Sequence, residues 1–296
     1  MQGELIMAVD DFVSYFKMDK TPFTNTIDTE YLFKADCFLS NQNKLKLAVQ
    51  NNSFAVLTGE PGTGKSTFLR LFASTLDPKE YLVLYVSMSN ASPRWIYSVP
   101  LEQLGIKSHV YVNDARKQFH NELEIQRKTY NKKVVMIIDE AHLLTQGYRK
   151  YDLLEEIRFL LNGKSYDSGS PLSLILAGQN ELWDVLKQDR CKAIIQRIMY
   201  LCKTSSLSKE QVGPYMAAHL RWAGTSDNLF ASDAVDLIAD LSDGVPRIIN
   251  KICMHALNYA ALNNVSIVTK DLVAEAANNE VVDVILRSAQ WQKNNL

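Results

Sequence analysis

Short apolar runs alternate with segments of helical spacing over the first two thirds of the chain. The runs are rich in Val, Ile, Leu and Phe and predict five strands, at residues 54–57, 82–86, 134–138, 172–177 and 198–202. Runs that stay apolar at every position are typical of parallel strands whose sheet is covered on both faces. Because helical patterns separate them, the sequence predicts an α/β fold with a five-stranded parallel sheet between helices.

After residue 205 the pattern becomes helical with almost no strand signal. Apolar residues recur at helical spacing over residues 232–243, and Gly244 follows as a stop. Pro246 opens the next helix, and Thr269 caps the last one. The sequence therefore predicts a small all-helical domain at 206–280, a tail at 281–296, an α/β domain at 41–205 and an N-terminal arm at 1–40.

A glycine-rich loop between the first predicted strand and the following helix matches the phosphate-binding pattern G-x-x-x-x-G-K-[ST]. The glycines let backbone N–H groups turn towards a polyphosphate, whose charge is also favoured at a helix N-terminus. Lys65 would reach the β- and γ-phosphates of ATP, and the Ser66 hydroxyl would hold Mg²⁺. The predicted nucleotide-binding residues are Gly59, Glu60, Pro61, Gly62, Thr63, Gly64, Lys65, Ser66 and Thr67.

Two carboxylates end the third predicted strand, about 75 residues after the loop lysine. With one strand between the two motifs, this spacing is typical of a P-loop ATPase. Asp139 would hold the Mg²⁺ shell, and Glu140 would polarise water for attack on the γ-phosphate. The alternative, a solvated carboxylate pair, is disfavoured because the carboxyl ends of parallel strands meet at the ligand-binding edge.

Composition is that of an ordinary globular protein, with 296 residues, 47% hydrophobic and 22% charged, and a net charge of −1. The four cysteines lack Cys-x-x-Cys spacing, which favours reduced thiols over a metal site. No stretch approaches ~18 uncharged apolar residues. These features predict a cytoplasmic protein without a membrane partner, and they leave nucleic-acid binding to a local basic patch.

The order of these motifs resembles the AAA+ ATPases over about residues 10–280. The resemblance implies that Gln179, after the fourth strand, contacts the γ-phosphate or the attacking water. Arg247, in Gly244-Val245-Pro246-Arg247, would contact the γ-phosphate from the helical lid. Arg197, before the fifth strand, would act as an arginine finger in a neighbouring subunit, with Arg190 as its competitor.

A closer resemblance is to the ExeA-like ATPases and the related ATPase subunits of DNA transposition systems (the TniB, TnsC and MuB type). It rests on VLTGEPGTGKST, DEAHLL, EEIRFLLN, LILAGQNELW and GVPRIINKIC together. Members act in secretin assembly, with an added membrane span and cell-wall-binding domain, or as ATP-dependent selectors of target DNA. Neither the membrane span nor the cell-wall-binding domain is recognisable here. The sequence therefore favours the transposition role, with the secretion role as the alternative.

The transposition role implies a homo-oligomer, as a ring or a helical filament, on duplex DNA, with a partner transposase and an adaptor protein. Phosphate contact needs basic side chains. The DNA-contacting candidates are Arg94, Lys107, Lys117, Lys132 and Lys133, and a solvated surface remains the alternative for each.

Two other classes of protein are compatible with parts of this sequence: a helicase and a scaffold that binds ATP without hydrolysis. A helicase is suggested by the Asp139-Glu140-Ala141-His142 tetrapeptide, but ~90 helical residues are too few for its second nucleotide-fold domain. His142 is then a packing residue or a neighbour of the ligand-contacting groups. A scaffold that binds ATP without hydrolysis would leave Glu140 idle. Pro100 and the Gly213-Pro214 pair depart from the family pattern, since Pro100 is expected to kink or end its helix and Gly213-Pro214 to disturb the first helix of the lid.

Overall fold

The computed structural model describes residues 11–87, 92–145, 150–162, 170–225 and 228–279, together with 282, 284 and 286. These residues form two compact units. The α/β unit consists of the described residues within Asp36–Pro61 and Lys65–Ser205. The helical unit consists of those up to Ala35, of Gly62–Gly64, and of those from Ser206 onward.

The α/β unit contains the five-stranded parallel sheet that the sequence predicts, in the order β2-β3-β4-β1-β5. β1 and β4 are buried at every position and β3 at all but its first, which explains their unbroken apolar runs. The strands are β1 (Phe54–Thr58), β2 (Tyr81–Ser87), β3 (Lys133–Asp139), β4 (Ser173–Gly178) and β5 (Ile198–Lys203).

Helices join these strands and pack with them into one hydrophobic core. α4 continues through the buried Pro100, so the helix does not end there, which was one of the two expected outcomes; burial of Ile96, Tyr97 and Leu101 outweighs the local cost of proline. The helices are α2 (Asp36–Gln50), α3 (Lys65–Ser74), α4 (Trp95–Gln103), α5 (Val112–Lys128), α6 (Lys150–Leu160), α7 (Asn180–Leu186) and α8 (Lys192–Ile195), with 3-10 turns at Ala141–Thr145 and Asp189–Cys191.

A buried ion pair connects α4, α5 and α6. The Arg116 guanidinium donates to both oxygens of Glu156, from Nη2 to Oε1 at 2.5 Å and from Nε to Oε2 at 3.0 Å. The Tyr97 hydroxyl donates to the same carboxylate at 2.5 Å. Arg116 also stacks on the Phe159 ring, 4.1 Å from its centroid. These donors replace the water that the buried Glu156 carboxylate has lost. A buried charge is costly without such partners.

The helical unit has its own core, built mainly from α9, α10, α11 and α12. Gln211 Oε1 accepts a hydrogen bond from the Ser208 backbone N–H at 3.0 Å and so helps to begin α9. α9 continues through Pro214, against expectation, because its apolar face is buried. The elements are α1 (Asp11–Tyr15), a 3-10 turn (Thr29–Tyr31), α9 (Lys209–Trp222), α10 (Ser232–Ser242), α11 (Pro246–Leu262) and α12 (Lys270–Ala277).

The cysteines are all unpaired, and three of them are buried. Burial raises the pKa of the Cys202 thiol to about 11, which suits a packing role. Across the described ranges, no helix is both long and apolar enough to cross a membrane.

Candidate active site

The glycine-rich loop joins the end of β1 to the start of α3. Gly62 and Gly64 adopt φ of 82° and 87°, a left-handed conformation that glycine adopts without strain. Lys65 is buried, and its Nζ donates to the carbonyls of Gly59 at 2.8 Å and Glu60 at 3.0 Å. The ammonium thus lies against its own loop, where a phosphate would exchange with these carbonyls as its partner. Elsewhere in the loop, Pro61 and Thr67 are half-buried, Thr63 is buried, and exposed Glu60 contacts Asn180.

The two predicted Mg²⁺ ligands are connected by a residue that the sequence did not single out. Tyr85, on β2, donates from its hydroxyl to Asp139 Oδ2 at 2.5 Å. The Ser66 side chain also interacts with this hydroxyl. Because one phenol oxygen reaches both, Ser66 and Asp139 are close enough to share an ion, and their oxygens are the donors that Mg²⁺ prefers.

The remaining ligands of such an ion would come from phosphate and water. The described residues contain no group of three or more His, Cys, Asp or Glu side chains that could hold a metal alone. That is the usual situation for Mg²⁺, which binds through one or two protein groups together with substrate phosphates. Asp139 is also fixed from its other side, because its Oδ1 accepts the backbone N–H of Glu140 at 2.8 Å.

Glu140 and Gln179 are brought together through His142. Glu140 has φ of 54°, a strained left-handed conformation for a non-glycine residue, and its side chain is half-exposed. His142 Nδ1 lies 3.2 Å from Glu140 Oε2, and His142 Nε2 lies 3.2 Å from Gln179 Nε2. The predicted base and the predicted phosphate sensor are therefore linked by one imidazole.

Arg197 lies away from the loop of its own chain. It is exposed and directly precedes β5, whose first residue pairs with Phe54 at the start of β1. The phosphate loop follows the other end of β1, about 15 Å along the strand. Arg197 Nη1 donates to Asn162 Oδ1 at 2.7 Å and to the Arg158 carbonyl at 3.3 Å. Arg190, the competitor, is also exposed and donates to Gln188.

Arg247 occupies the first turn of α11 in the helical unit, where it is exposed. Its backbone N–H donates to the Gly62 carbonyl, which belongs to the same unit, at 3.3 Å. The preceding Gly244 is required sterically: its φ is 70°, and a Cβ there would lie 1.9 Å from the Leu207 carbonyl oxygen.

The five basic candidates lie in separate places. Arg94 Nε donates to the His109 carbonyl at 2.9 Å, in the loop that contains Lys107 and leads into α5. Exposed Lys117 lies in the first half of α5. Lys132 and Lys133 follow the other end of that helix, about 25 Å away for 17 residues. The Lys133 ammonium lies 3.5 Å from the Glu80 carboxylate.

This sheet order, the glycine-rich loop and the two carboxylates at the strand ends are those of the AAA+ fold. Residues 48–186 match the family model for the AAA domain. The chain is 29% identical over 251 residues to general secretion pathway protein A of Aeromonas hydrophila. The match covers 83% of this chain, but the chain spans only 44% of that relative.

Solved structures of ORC and Cdc6 proteins share the fold. The ORC2 protein of Aeropyrum pernix has a TM-score of 0.65 at 16% identity, covering 90% of this chain and 71% of that one. Cdc6p of Pyrobaculum aerophilum has a TM-score of 0.67 at 16% identity, covering 86% and 69%. The Aeropyrum pernix ORC1 protein, solved in complex with DNA, has a TM-score of 0.62 at 19% identity, covering 93% and 70%.

Proposed function

We propose that this chain is an oligomeric ATPase of the ExeA-like kind, which hydrolyses ATP during assembly of a secretion apparatus. The arrangement of Lys65, Asp139 and Glu140 around the loop supports the ATPase activity. The secretion role is supported by the similarity to general secretion pathway protein A, which extends over more residues than the AAA domain alone.

Each residue of the candidate active site has a distinct task in this proposal. Lys65 leaves the Gly59 and Glu60 carbonyls and neutralises the β- and γ-phosphates, and Ser66 and Asp139 hold Mg²⁺. Bound Mg-ATP supplies the phosphoryl group, which passes to water. Glu140 orients that water, and Gln179 contacts the γ-phosphate.

The position of Arg197 supports completion of the site by a second copy of the chain. Its own loop is about 15 Å away along β1 and its side chain is exposed, so in an oligomer its guanidinium would exchange its contacts with Asn162 and the Arg158 carbonyl for another protomer's site. A finger supplied in trans stabilises the charge that develops in phosphoryl transfer and can raise the rate ~10³-fold or more. The rate per protomer should therefore rise with protein concentration.

A mixing experiment tests this arrangement. Glu140→Gln retains the finger but not the base, and Arg197→Ala retains the base but not the finger. Each variant alone should be nearly inactive, whereas an equimolar mixture should recover roughly a quarter of wild-type activity, because random assembly pairs an intact base with an intact finger at that frequency. Arg190→Ala, at the neighbouring exposed arginine, is the matched control and should remain active. No recovery in mixtures that form oligomers would exclude Arg197.

The transposition role is the second candidate. Its specific support is the set of basic residues, and Arg94, Lys107 and Lys117 would form one DNA-contacting group and Lys132 and Lys133 another. Binding that needs a non-hydrolysable ATP analogue and weakens steeply with salt would favour this role, with a transposase and an adaptor as partners. We rank it second, since the aligned relative is named for secretion and not for transposition.

A cellular measurement separates the two candidates. In the source organism, Glu140→Gln should reduce the amount of assembled secretin multimer if the chain serves secretion. It should leave secretin unchanged and alter the frequency or distribution of insertions if the chain serves transposition. Unchanged secretin in a strain that expresses the variant would contradict the first candidate.

A further inference from the structure

The position of His142 is fixed by a close approach between two strand ends. The backbone N–H of Leu143 donates to the Glu140 carbonyl at 3.0 Å and opens the 3-10 turn that contains His142. β4 ends against this turn at Gly178, where a Cβ would lie 2.8 Å from the His142 backbone nitrogen. Only glycine permits that contact. The close approach brings the next residue, Gln179, to the His142 imidazole.

The two imidazole nitrogens face different partners. Nε2 lies 3.2 Å from the Gln179 amide nitrogen, so in a neutral ring it accepts a hydrogen bond from that amide. The ring proton is then on Nδ1, which lies 3.2 Å from Glu140 Oε2 and has no other partner among the described groups. The N–H does not point straight at the oxygen, but the Glu140 side chain is 42% exposed and can rotate to close the bond.

The Gln179 amide therefore determines what His142 presents to Glu140. If the amide turns so that its carbonyl oxygen faces Nε2, that nitrogen must carry the proton. Nδ1 then presents a lone pair to a carboxylate, and the two repel each other. A turn of one amide thus changes an attraction at Glu140 into a repulsion, without movement of the buried ring.

We propose that His142 is a positioning residue that transmits the state of Gln179 to the base Glu140. Without a γ-phosphate, Gln179 donates to Nε2 and the Nδ1 proton holds Glu140 against the imidazole. When the Gln179 amide group donates to a γ-phosphate, its carbonyl oxygen faces Nε2. The ring takes one proton from water at Nε2 and gives one to water from Nδ1, and Glu140 is released to orient the attacking water. This inference rests on the proposed ATP hydrolysis.

Nuclear magnetic resonance of ¹⁵N-histidine-labelled protein tests the resting arrangement without any nucleotide. The signal of His142, identified by its loss in His142→Asn, should show the proton on Nδ1. Gln179→Ala should shift the proton towards Nε2, since it removes the donor. A proton on Nε2 in the nucleotide-free wild type would overturn the proposal, even if ATP is bound and hydrolysed.

Addition of a non-hydrolysable ATP analogue tests the switch. Wild type should move the proton to Nε2, whereas ADP should leave it on Nδ1. An unchanged signal in protein that has bound the analogue, as measured by calorimetry, would overturn the proposal while leaving the ATPase function intact. Absence of nucleotide binding would instead overturn the proposed function.

Two substitutions separate the two contacts of the ring. His142→Asn places an amide where Nδ1 lies and can still hold Glu140, whereas His142→Gln places an amide where Nε2 lies and can only meet Gln179. We expect both to retain wild-type ATP affinity. His142→Asn should lower kcat about 10-fold because Glu140 stays held, whereas His142→Gln should not lower it, since Glu140 is never held; equal losses in the two variants would contradict the proposal. Gln179→Ala should lower kcat by a smaller factor in either His142 variant than it does in the wild-type protein. Independent, multiplicative effects would contradict the coupling, and a merely structural role would lower affinity and kcat together.

Discussion

The Tyr85 hydroxyl donates a hydrogen bond to Asp139 Oδ2 at 2.5 Å, from the neighbouring strand of the sheet. Burial, and then this carboxylate, raise the pKa of Tyr85 well above its usual value, so the phenol keeps its proton and remains a donor. With Glu140 N–H on the other oxygen, both carboxylate oxygens are fixed before an ion binds. The Asp139 carboxylate of the proposed Mg²⁺ site is therefore oriented in part by a residue outside the two nucleotide motifs.

Tyr85→Phe should weaken Mg²⁺ binding because it removes the donor that orients Asp139. Loss of such an outer partner typically costs about 10-fold in metal affinity. The measurement is the Mg²⁺ concentration at half-maximal binding of a fluorescent ATP analogue, with binding in EDTA as reference. Tyr81→Phe, at the start of the same strand, is the matched control. An unchanged Mg²⁺ midpoint in Tyr85→Phe would show that Asp139 is oriented without it.

Lys65→Ala should abolish nucleotide binding. The ammonium is buried against the Gly59 and Glu60 carbonyls and is the proposed phosphate-neutralising group of the loop, so we expect affinity to fall about 100-fold or more. Calorimetry with ATP and Mg²⁺ measures the loss. Glu140→Gln serves as the control, since it should bind ATP normally and fail to hydrolyse it. Comparable affinities in wild type and Lys65→Ala would contradict the assigned site.

The strands and the loop could be predicted from the sequence because their determinants are local. Fully buried parallel strands are continuous apolar runs, and the two left-handed loop positions require glycine. The sequence does not indicate that Tyr85 connects the two predicted Mg²⁺ ligands. It also does not indicate that His142 connects Glu140 with Gln179. In sequence, Tyr85 is one residue of an apolar strand and His142 a buried position after Glu140. Their roles depend on which strands are neighbours, and on the approach of Gly178 to the 3-10 turn.

The prolines show the limit of local rules. Pro100 and Pro214 each remove a backbone donor, which predicts an interruption. Both helices continue, because their apolar residues bury a face that an interrupted helix would expose.

Removal of the Glu156 charge should destabilise the α/β unit. Glu156→Ala leaves the Arg116 guanidinium and the Tyr97 hydroxyl without their partner in a largely buried environment, at a cost of about 3 kcal/mol. Glu124→Ala, which breaks the exposed Lys128–Glu124 pair, should cost less than about 0.5 kcal/mol. Urea unfolding followed by circular dichroism measures both, and equal costs would mean that the buried pair contributes no more than the surface pair.

The helical unit should lose stability as the pH falls, because of His219. Its ring is buried between Phe23 and Tyr215, with centroids at 5.2 and 4.7 Å, and its Nδ1 has no partner among the described groups. Burial lowers the pKa of His219 from 6.5 to about 4. Between these values the unfolded chain binds the proton and the folded one does not. The stability is therefore complete above pH 6.5 and decreases as the pH falls towards 4.

The expected loss between pH 7.5 and 5 is on the order of 2 kcal/mol in the free energy of unfolding. Urea titrations at the two pH values measure it. His219→Phe keeps an aromatic ring between Phe23 and Tyr215 but cannot bind a proton, so most of this pH dependence should disappear whatever the variant's stability at pH 7.5. His109→Gln removes one histidine at an exposed loop position and is the matched control. If His219→Phe and wild type lose equal stability at pH 5, the acid sensitivity arises from other groups.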